Sequence, residues 1–197
     1  HKKSDVQIEK ITKKGNYLKI FIKIDNKIID LEIKDLNIYN VLASIAVLKV
    51  LKIDIKKIKA KLKNFESPEG RGKKYSIIRY KKKFNLIDES YNANPLSVKN
   101  AINKLNLIKK EKFKKYLILG DMLELGPKSN KYHEQLSKVI NKSDIDKVFI
   151  KGKKTIFTYK QLNKNKRGNI LQNNEDIDIS LGEMISNNDH LMIKGSN

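Results

Sequence analysis

The sequence predicts an α/β protein in two parts: a small antiparallel β-meander with a helix pair, then a larger, mostly parallel sheet with helices on both faces. Three observations carry this. Residues 6 to 34 alternate apolar and polar positions at period two. From Tyr75 onward, short apolar runs alternate with helix-period segments across short connections, as in a sheet built by crossovers. Between them stands a junction, Phe84–Ile87 into Asp88-Glu89-Ser90-Tyr91-Asn92-Ala93-Asn94-Pro95 into Val98, Ala101, Ile102 and Leu105. That is a strand, a polar turn and a helix start.

The elements follow in order. Val6–Ile11, Tyr17–Ile24 and Lys27–Ile33 read as strands, with Gly15-Asn16 and Asp25-Asn26 marking the turns. Asn37–Leu51 is apolar on nearly every side, which predicts a buried helix. Asp54 is placed to cap a second helix with Ile55, Ile58, Leu62 and Phe65 on one face. Glu66–Lys73, with Pro68, Gly70 and Gly72, reads as a linker. Strands are expected at Tyr75–Ile78 and Phe84–Ile87. A helix over Pro95–Ile108 has Asn94 as N-cap and proline at its first position. Tyr116–Leu119 is a short continuous apolar run, the mark of a strand buried on both faces. Ser129 is placed to cap a helix carrying Tyr132, Leu136, Val139 and Ile140 inward. Val148–Ile150 is a strand, 160–169 a loop, Ile170-Leu171 a weak strand, 175–186 a helix and Leu191–Ile193 the last strand.

Composition narrows the class. The 197 residues suffice for one large or two small domains. The chain begins with His and stops just after an apolar strand, so a fragment is expected. Without cysteine there is no disulfide, thiolate metal site or cysteine nucleophile. No segment resembles a signal peptide, and the longest apolar stretch, Val41–Val50, is interrupted by Lys49 and too short to span a bilayer. A cytoplasmic protein without membrane insertion is expected. The formal charge of +21 invites a nucleic-acid reading, but only Arg71, Arg79 and Arg167 of the 43 basic residues are arginine. Bidentate readout of bases and phosphates favours arginine. The lysines are spread along the chain, and Lys, Ile and Asn share AT-rich codons. Compositional drift therefore explains the charge without a nucleic-acid partner, although a positive field still attracts polyanions such as nucleotides.

Chemistry-bearing residues gather in three places. The Asp88–Pro95 turn packs a carboxylate, a phenol and two amides where open α/β sheets hold ligands, at a strand's C-terminal end; it reads as a binding site or as an elaborate helix cap. Leu119-Gly120-Asp121-Met122-Leu123-Glu124-Leu125-Gly126 joins a buried strand to a helix. Its glycines permit tight turns, and its acids suit either a ligand or the next helix's N-terminus. His133 sits one turn into that helix; lone histidines are more often structural or exposed. Lys194-Gly195-Ser196 closes the last strand at the same edge. His1 and His190 have no partner pattern, and no Gly-Lys-Ser/Thr phosphate loop occurs anywhere.

These three blocks, in this order, resemble the Mur ligase family, and Tyr91-Asn92-Ala93-Asn94-Pro95 resembles its D-alanyl-D-alanine-adding branch. The resemblance covers nearly the whole chain, weakly before Asn37. It implies that residues 1–66 end a central ATP-binding domain, 67–73 form a hinge and 74–197 are a Rossmann-like C-terminal domain. It further implies ATP-dependent amide formation through an acyl phosphate, with UDP-MurNAc-tripeptide and D-alanyl-D-alanine as substrates, ATP and Mg2+ as cofactors, and a monomer. Arg71 would reach the ATP phosphates, for which a guanidinium fork is suited. Asp88 would take the ribose hydroxyls, with Tyr91, Asn92 and Asn94 on the same wall. Leu36-Asn37 takes the place of a His-Asn pair of the family, with the His lost, and Asn40 stands for the further Asn that follows it; Asn37 and Asn40 also read as helix caps. Asp121 and Glu124 would face the dipeptide ammonium, with His133, Lys194 and Ser196 nearby. Asn197 stands where the family commonly has arginine. The phosphate loop, carbamylated lysine and magnesium ligands of the family would lie upstream, so the chain alone is expected to be inactive. The alternatives are a sibling such as folylpolyglutamate synthase, or a lysine-rich non-catalytic nucleic-acid-binding module.

Overall fold

The computed structural model describes residues 4–15, 17–34, 36–109 and 111–196; His1, Asn16 and Asn197 lie outside these. The chain divides into two compact units, His1–Ser67 and Pro68–Asn197.

The first unit is a meander with helices on one face. Strands β1 (Val6–Lys14), β2 (Tyr17–Ile24) and β3 (Lys27–Ile33) pair antiparallel in that order. Alternation aims Ile20, Ile22, Leu31 and Ile33 at one face, where they pack with Val41 and Ile45 of α1 (Ile38–Val50). Each such fully buried aliphatic side chain contributes about 1.5–3 kcal/mol. A 3-10 turn (Ile55–Ile58), opened by Asp54 accepting from Lys56 N–H, precedes the five-residue α2 (Lys59–Lys63).

The buried helix expected at Asn37–Leu51 is corrected here. A three-stranded sheet offers one apolar face, and only one stripe of α1 can lie on it. Val41 and Ile45 are buried, whereas Tyr39, Val47, Val50 and Leu51 are each more than half exposed.

The second unit is a six-stranded sheet in the order β4-β5-β9-β6-β7-β8. Strands β4 (Lys73–Arg79) and β5 (Lys82–Glu89) form an antiparallel hairpin at one edge. Strands β6 (Lys115–Gly120), β7 (Lys147–Lys151), β8 (Arg167–Ile170) and β9 (His190–Lys194) run parallel to β5. Period-two alternation in β6 splits the core: Leu117 and Leu119 face α3 (Pro95–Leu107) and α4 (Ser129–Lys142), while Tyr116 and Ile118 face α6 (Asn174–Met184). Both faces are apolar, which is why these strands read as continuous apolar runs. Among the described residues no helix is long and apolar enough to cross a membrane.

Three local expectations change. The stretch read as a linker packs into the second unit from Pro68 on: Arg71 N–H donates to Pro68 O, and Gly70 and Gly72 N–H donate to Asp88. Ser129 is the first residue of α4 and makes no side-chain cap. A short helix, α5 (Thr155–Lys160), and a 3-10 turn (Lys164–Lys166) occupy the region around the expected loop at 160–169. Six residues are too few to show a helical period.

Strand order sets the functional edge. β9, last in sequence, lies between β5 and β6, pairing Glu89 with Lys194 on one side and Leu119 with Lys194 on the other. Neighbouring strands lie about 4.8 Å apart. The loops leaving β5 and β6 and the tail leaving β9 therefore share one end of the sheet.

Candidate functional site

The loop after β5 is built around Asp88. Its Oδ2 accepts from Gly70 N–H at 3.0 Å, and its Oδ1 accepts from Ser90 N–H at 3.1 Å and Ser90 Oγ–H at 2.6 Å. Burial pushes this carboxyl up, but the three hydrogen bonds outweigh burial and hold it below the usual carboxylate range. A carboxylate has about four acceptor positions, so three protein donors leave room for about one more. Sequence reasoning passed over Ser90 and Gly70; an Asp-x-Ser spacing, which lets the hydroxyl turn back onto the carboxylate, was the available signal for the first.

The remaining residues of this loop divide into fold-bearing and exposed. Asn94 is the N-cap of α3 in a reciprocal capping box, accepting from Ser97 N–H at 2.8 Å while Asn94 N–H donates to Ser97 Oγ at 3.0 Å. Asn92 Oδ1 accepts from Ala93 N–H at 2.7 Å. Tyr91 is 56% exposed, and the Arg71 guanidinium lies over its ring, 4.1 Å from the centroid. Such a stack uses the guanidinium face and keeps its in-plane donors at the rim.

The loop after β6 is fastened from below. Asp121 points across to the turn that opens α5: Oδ1 accepts from Lys154 N–H at 2.9 Å and Thr155 N–H at 2.8 Å, and Oδ2 from Lys153 N–H at 3.0 Å. Gly152 permits this approach. Its φ is +132°, and a Cβ there would stand 2.4 Å from Asp121 Oδ1. His133 is fully buried; its Nε2 accepts from Met122 N–H at 2.9 Å, and its Nδ1, which carries the proton, donates to Ser129 O at 2.9 Å. The ring thus supports the loop from inside the molecule. Glu124 is exposed and adopts a φ of +58°.

The β9 tail lies between the two loops. Lys194 is 2% exposed, and its ammonium donates to the carbonyls of Glu89, at 3.0 Å, and Asn92. Burial pushes its pKa down, with Lys104 and Arg71 adding to the shift and Glu89 opposing it. Ser196 Oγ accepts from Ala93 N–H at 3.2 Å and Leu123 N–H at 3.3 Å.

The structure thus gathers Arg71, Asp88, Tyr91, Asn92, Asn94, Asp121, Glu124, His133, Lys194 and Ser196 in the second unit, around one sheet edge. Asn37 and Asn40 belong to the first unit. There, Asn37 caps α1, its Oδ1 accepting from Tyr39 N–H at 2.9 Å and Asn40 N–H at 3.3 Å. Among the described residues no cluster of His, Asp and Glu is arranged to hold a metal ion.

Comparison with known proteins decides the family. The model of the Mur ligase glutamate ligase domain matches residues 75–197, which hold all three loops. The chain belongs to the Mur ligase family. Its curated relatives include the UDP-N-acetylmuramoyl-tripeptide–D-alanyl-D-alanine ligase of Buchnera aphidicola, 38% identical over 113 residues, covering 57% of this chain and 24% of that one. The ligase of the same name from Rickettsia prowazekii is 28% identical over 185 residues, covering 92% of this chain and 40% of its own length. Among solved structures, MurF from Acinetobacter baumannii superposes with a TM-score of 0.79 at 20% identity, over 100% of this chain and 43% of that one. The MurF ligase of Thermotoga maritima in complex with ADP gives 0.76 at 20% identity, over 99% and 44%. The chain thus spans less than half the length of these Mur ligase relatives.

Proposed function

We propose that this chain is the C-terminal part of a MurF-type ligase of peptidoglycan precursor synthesis, joining D-alanyl-D-alanine to UDP-MurNAc-tripeptide at the expense of ATP in the cytoplasm. The observation that carries the reading is the convergence of the Asp88 loop, the Asp121 loop and the Lys194–Ser196 tail on one sheet edge. The division of labour follows from which polar groups the fold has already used. Asp88, with about one acceptor position left, takes one ribose hydroxyl. Arg71, held against Tyr91, meets phosphate oxygens. Asp121 accepts four hydrogen bonds from three backbone N–H groups, Lys154 N–H being shared by both oxygens, which fills its about four acceptor positions, so Glu124 is the acid that receives the dipeptide ammonium. Asn92, Asn94, His133, Lys194 and Ser196 shape these loops. In this reading residues 1–66 close a central ATP-binding domain.

Chemistry of this kind is positioning plus charge neutralisation. ATP supplies the phosphoryl group that turns the tripeptide carboxylate into an acyl phosphate, which the dipeptide amine attacks, releasing phosphate. The phosphate loop and the magnesium ligands fall, in this reading, in the part of the relatives that this chain does not span. The chain therefore does not turn over ATP by itself, and hydrolysis by the pure protein would overturn the assignment. The direct test is amide NMR of the labelled chain titrated with D-alanyl-D-alanine and with L-alanyl-L-alanine. Shifts confined to residues 120–126, produced by the D,D isomer and lost in Glu124→Gln, are expected. Equal response to both isomers, or none, would refute the dipeptide site.

A further inference from the structure

The three-residue tail of β9 is tied to both ligand loops at once. On the β5 side, Lys194 holds the carbonyls of Glu89 and Asn92, the two ends of the turn beyond Asp88. On the β6 side, Ser196 N–H donates to Asp121 O at 2.9 Å. Ser196 Oγ is shared, taking one backbone N–H from each loop. Between them Gly195 and Gly120 meet backbone to backbone: a Cβ on Gly195 would lie 2.9 Å from Gly120 Cα, and one on Gly120 would lie 3.1 Å from Gly195 Cα. No side chain cushions this contact, so a displacement on one side is passed to the other.

From this arrangement we infer that Lys194-Gly195-Ser196 is a clasp that couples the two loops, so that occupancy of the Asp88 loop changes the conformation of the Asp121 loop and the reverse. Its residues are positioning residues: they act through the backbone of the loops. The bonds to Ser196 Oγ are 3.2 and 3.3 Å, near the long end of the hydrogen-bond range, so an outward shift of either loop by a few tenths of an ångström weakens its link to the shared oxygen. Coupling between two sites is reciprocal, so the factor by which one ligand changes the other's affinity is the same in both directions. The identity of those ligands rests on the function proposed above; the coupling of the loops does not.

The test uses the labelled chain and two variants, Ser196→Ala, which removes the shared acceptor, and Ser196→Thr, which keeps it. Without ligand, Ser196→Ala is expected to speed amide exchange at Leu123 by about tenfold or more, about 1.4 kcal/mol, and at Ala93 by a smaller factor of about two to three, because Ala93 N–H also donates to Asn92 Oδ1 at 2.7 Å. Ser196→Thr is expected to stay near the parent, and the urea midpoint is expected to move little. A response at only one amide, or at neither, overturns the clasp. With ADP as probe, shifts are expected at residues 88–94 and also at 121–123. In Ser196→Ala the first set is expected to persist and the second to shrink to less than half, the Ser196 N–H bond to Asp121 O and the Gly195–Gly120 contact carrying the remainder. A purely structural role predicts that the second set persists undiminished in that variant, and this overturns the coupling, as does a parent chain whose second set never moves while the first does. If ADP moves neither loop, the nucleotide assignment fails, and the exchange measurement still decides the clasp.

Discussion

Replacing Asp121 separates a carboxylate that builds the site from one that binds substrate. Its side chain accepts from the N–H groups of Lys153, Lys154 and Thr155. In Asp121→Ala the first two amides, which belong to exposed residues, are taken up by water at small net cost. The third belongs to Thr155, which is fully buried, and leaves an unsatisfied donor worth about 1–3 kcal/mol. Adding the loss of a helix-opening cap, about 0.5–2 kcal/mol, gives about 2–3 kcal/mol after allowing for their overlap. For a protein of this size that lowers Tm by about 5–10 °C. Asp121→Asn keeps one acceptor oxygen and loses the charge, so about 1 kcal/mol is expected. The assay is urea unfolding followed by far-UV circular dichroism, with amide exchange at 153–155 as the local reading. An Asp121→Ala protein within about 0.5 kcal/mol of the parent, with those amides still protected, would refute the reasoning. If Asp121 served a ligand instead, stability would hold and only binding would fall.

Three further outcomes follow from the same geometry. Gly152→Ala puts a Cβ into the Asp121 carboxylate at a left-handed φ, so it should destabilise as Asp121→Ala does, and the double variant should be far from additive in a denaturation cycle. Lys194→Met leaves the carbonyls of Glu89 and Asn92 without their donor; Asn92 is exposed and water replaces that bond, so a loss of about 2 kcal/mol is expected in urea, against no loss if the ammonium were merely a solvated surface charge. In the first unit, hydrogen bonds from Lys59 and then Lys19 lower the Asp30 carboxyl from 3.8 to about 2. Because the folded pKa is the lower one, this stabilisation is present above pH 3.8 and is lost as pH falls from 3.8 towards about 2. The pair is partly solvated and contributes no more than about 1 kcal/mol, so Asp30→Asn should flatten acid unfolding of this unit over that interval, and an unchanged pH profile would contradict the assignment.

Much of the architecture was legible because it is written in short-range pattern. Alternation placed β1–β3, the apolar run Tyr116–Leu119 announced a strand buried on both faces, and Asn94-Pro95 marked the start of α3. What the linear pattern determined was the order of elements and the three loops where polar residues interrupt it. Only the tertiary structure decided how those loops meet, because strand order is set by long-range pairing. Nothing local says that β9, the last strand, lies between β5 and β6. The same holds for side chains whose partners are remote. Lys194 reads as a substrate-side cation at the ligand edge, yet it is buried against carbonyls more than a hundred residues away. Asp121 reads as a ligand acid, yet a turn some thirty residues on claims both its oxygens. His133 reads as structural or exposed, and its burial under Met122 decides between the two. Sequence periodicity reports which face of an element is apolar; the tertiary structure alone decides which polar groups are satisfied by the fold and which are left to bind.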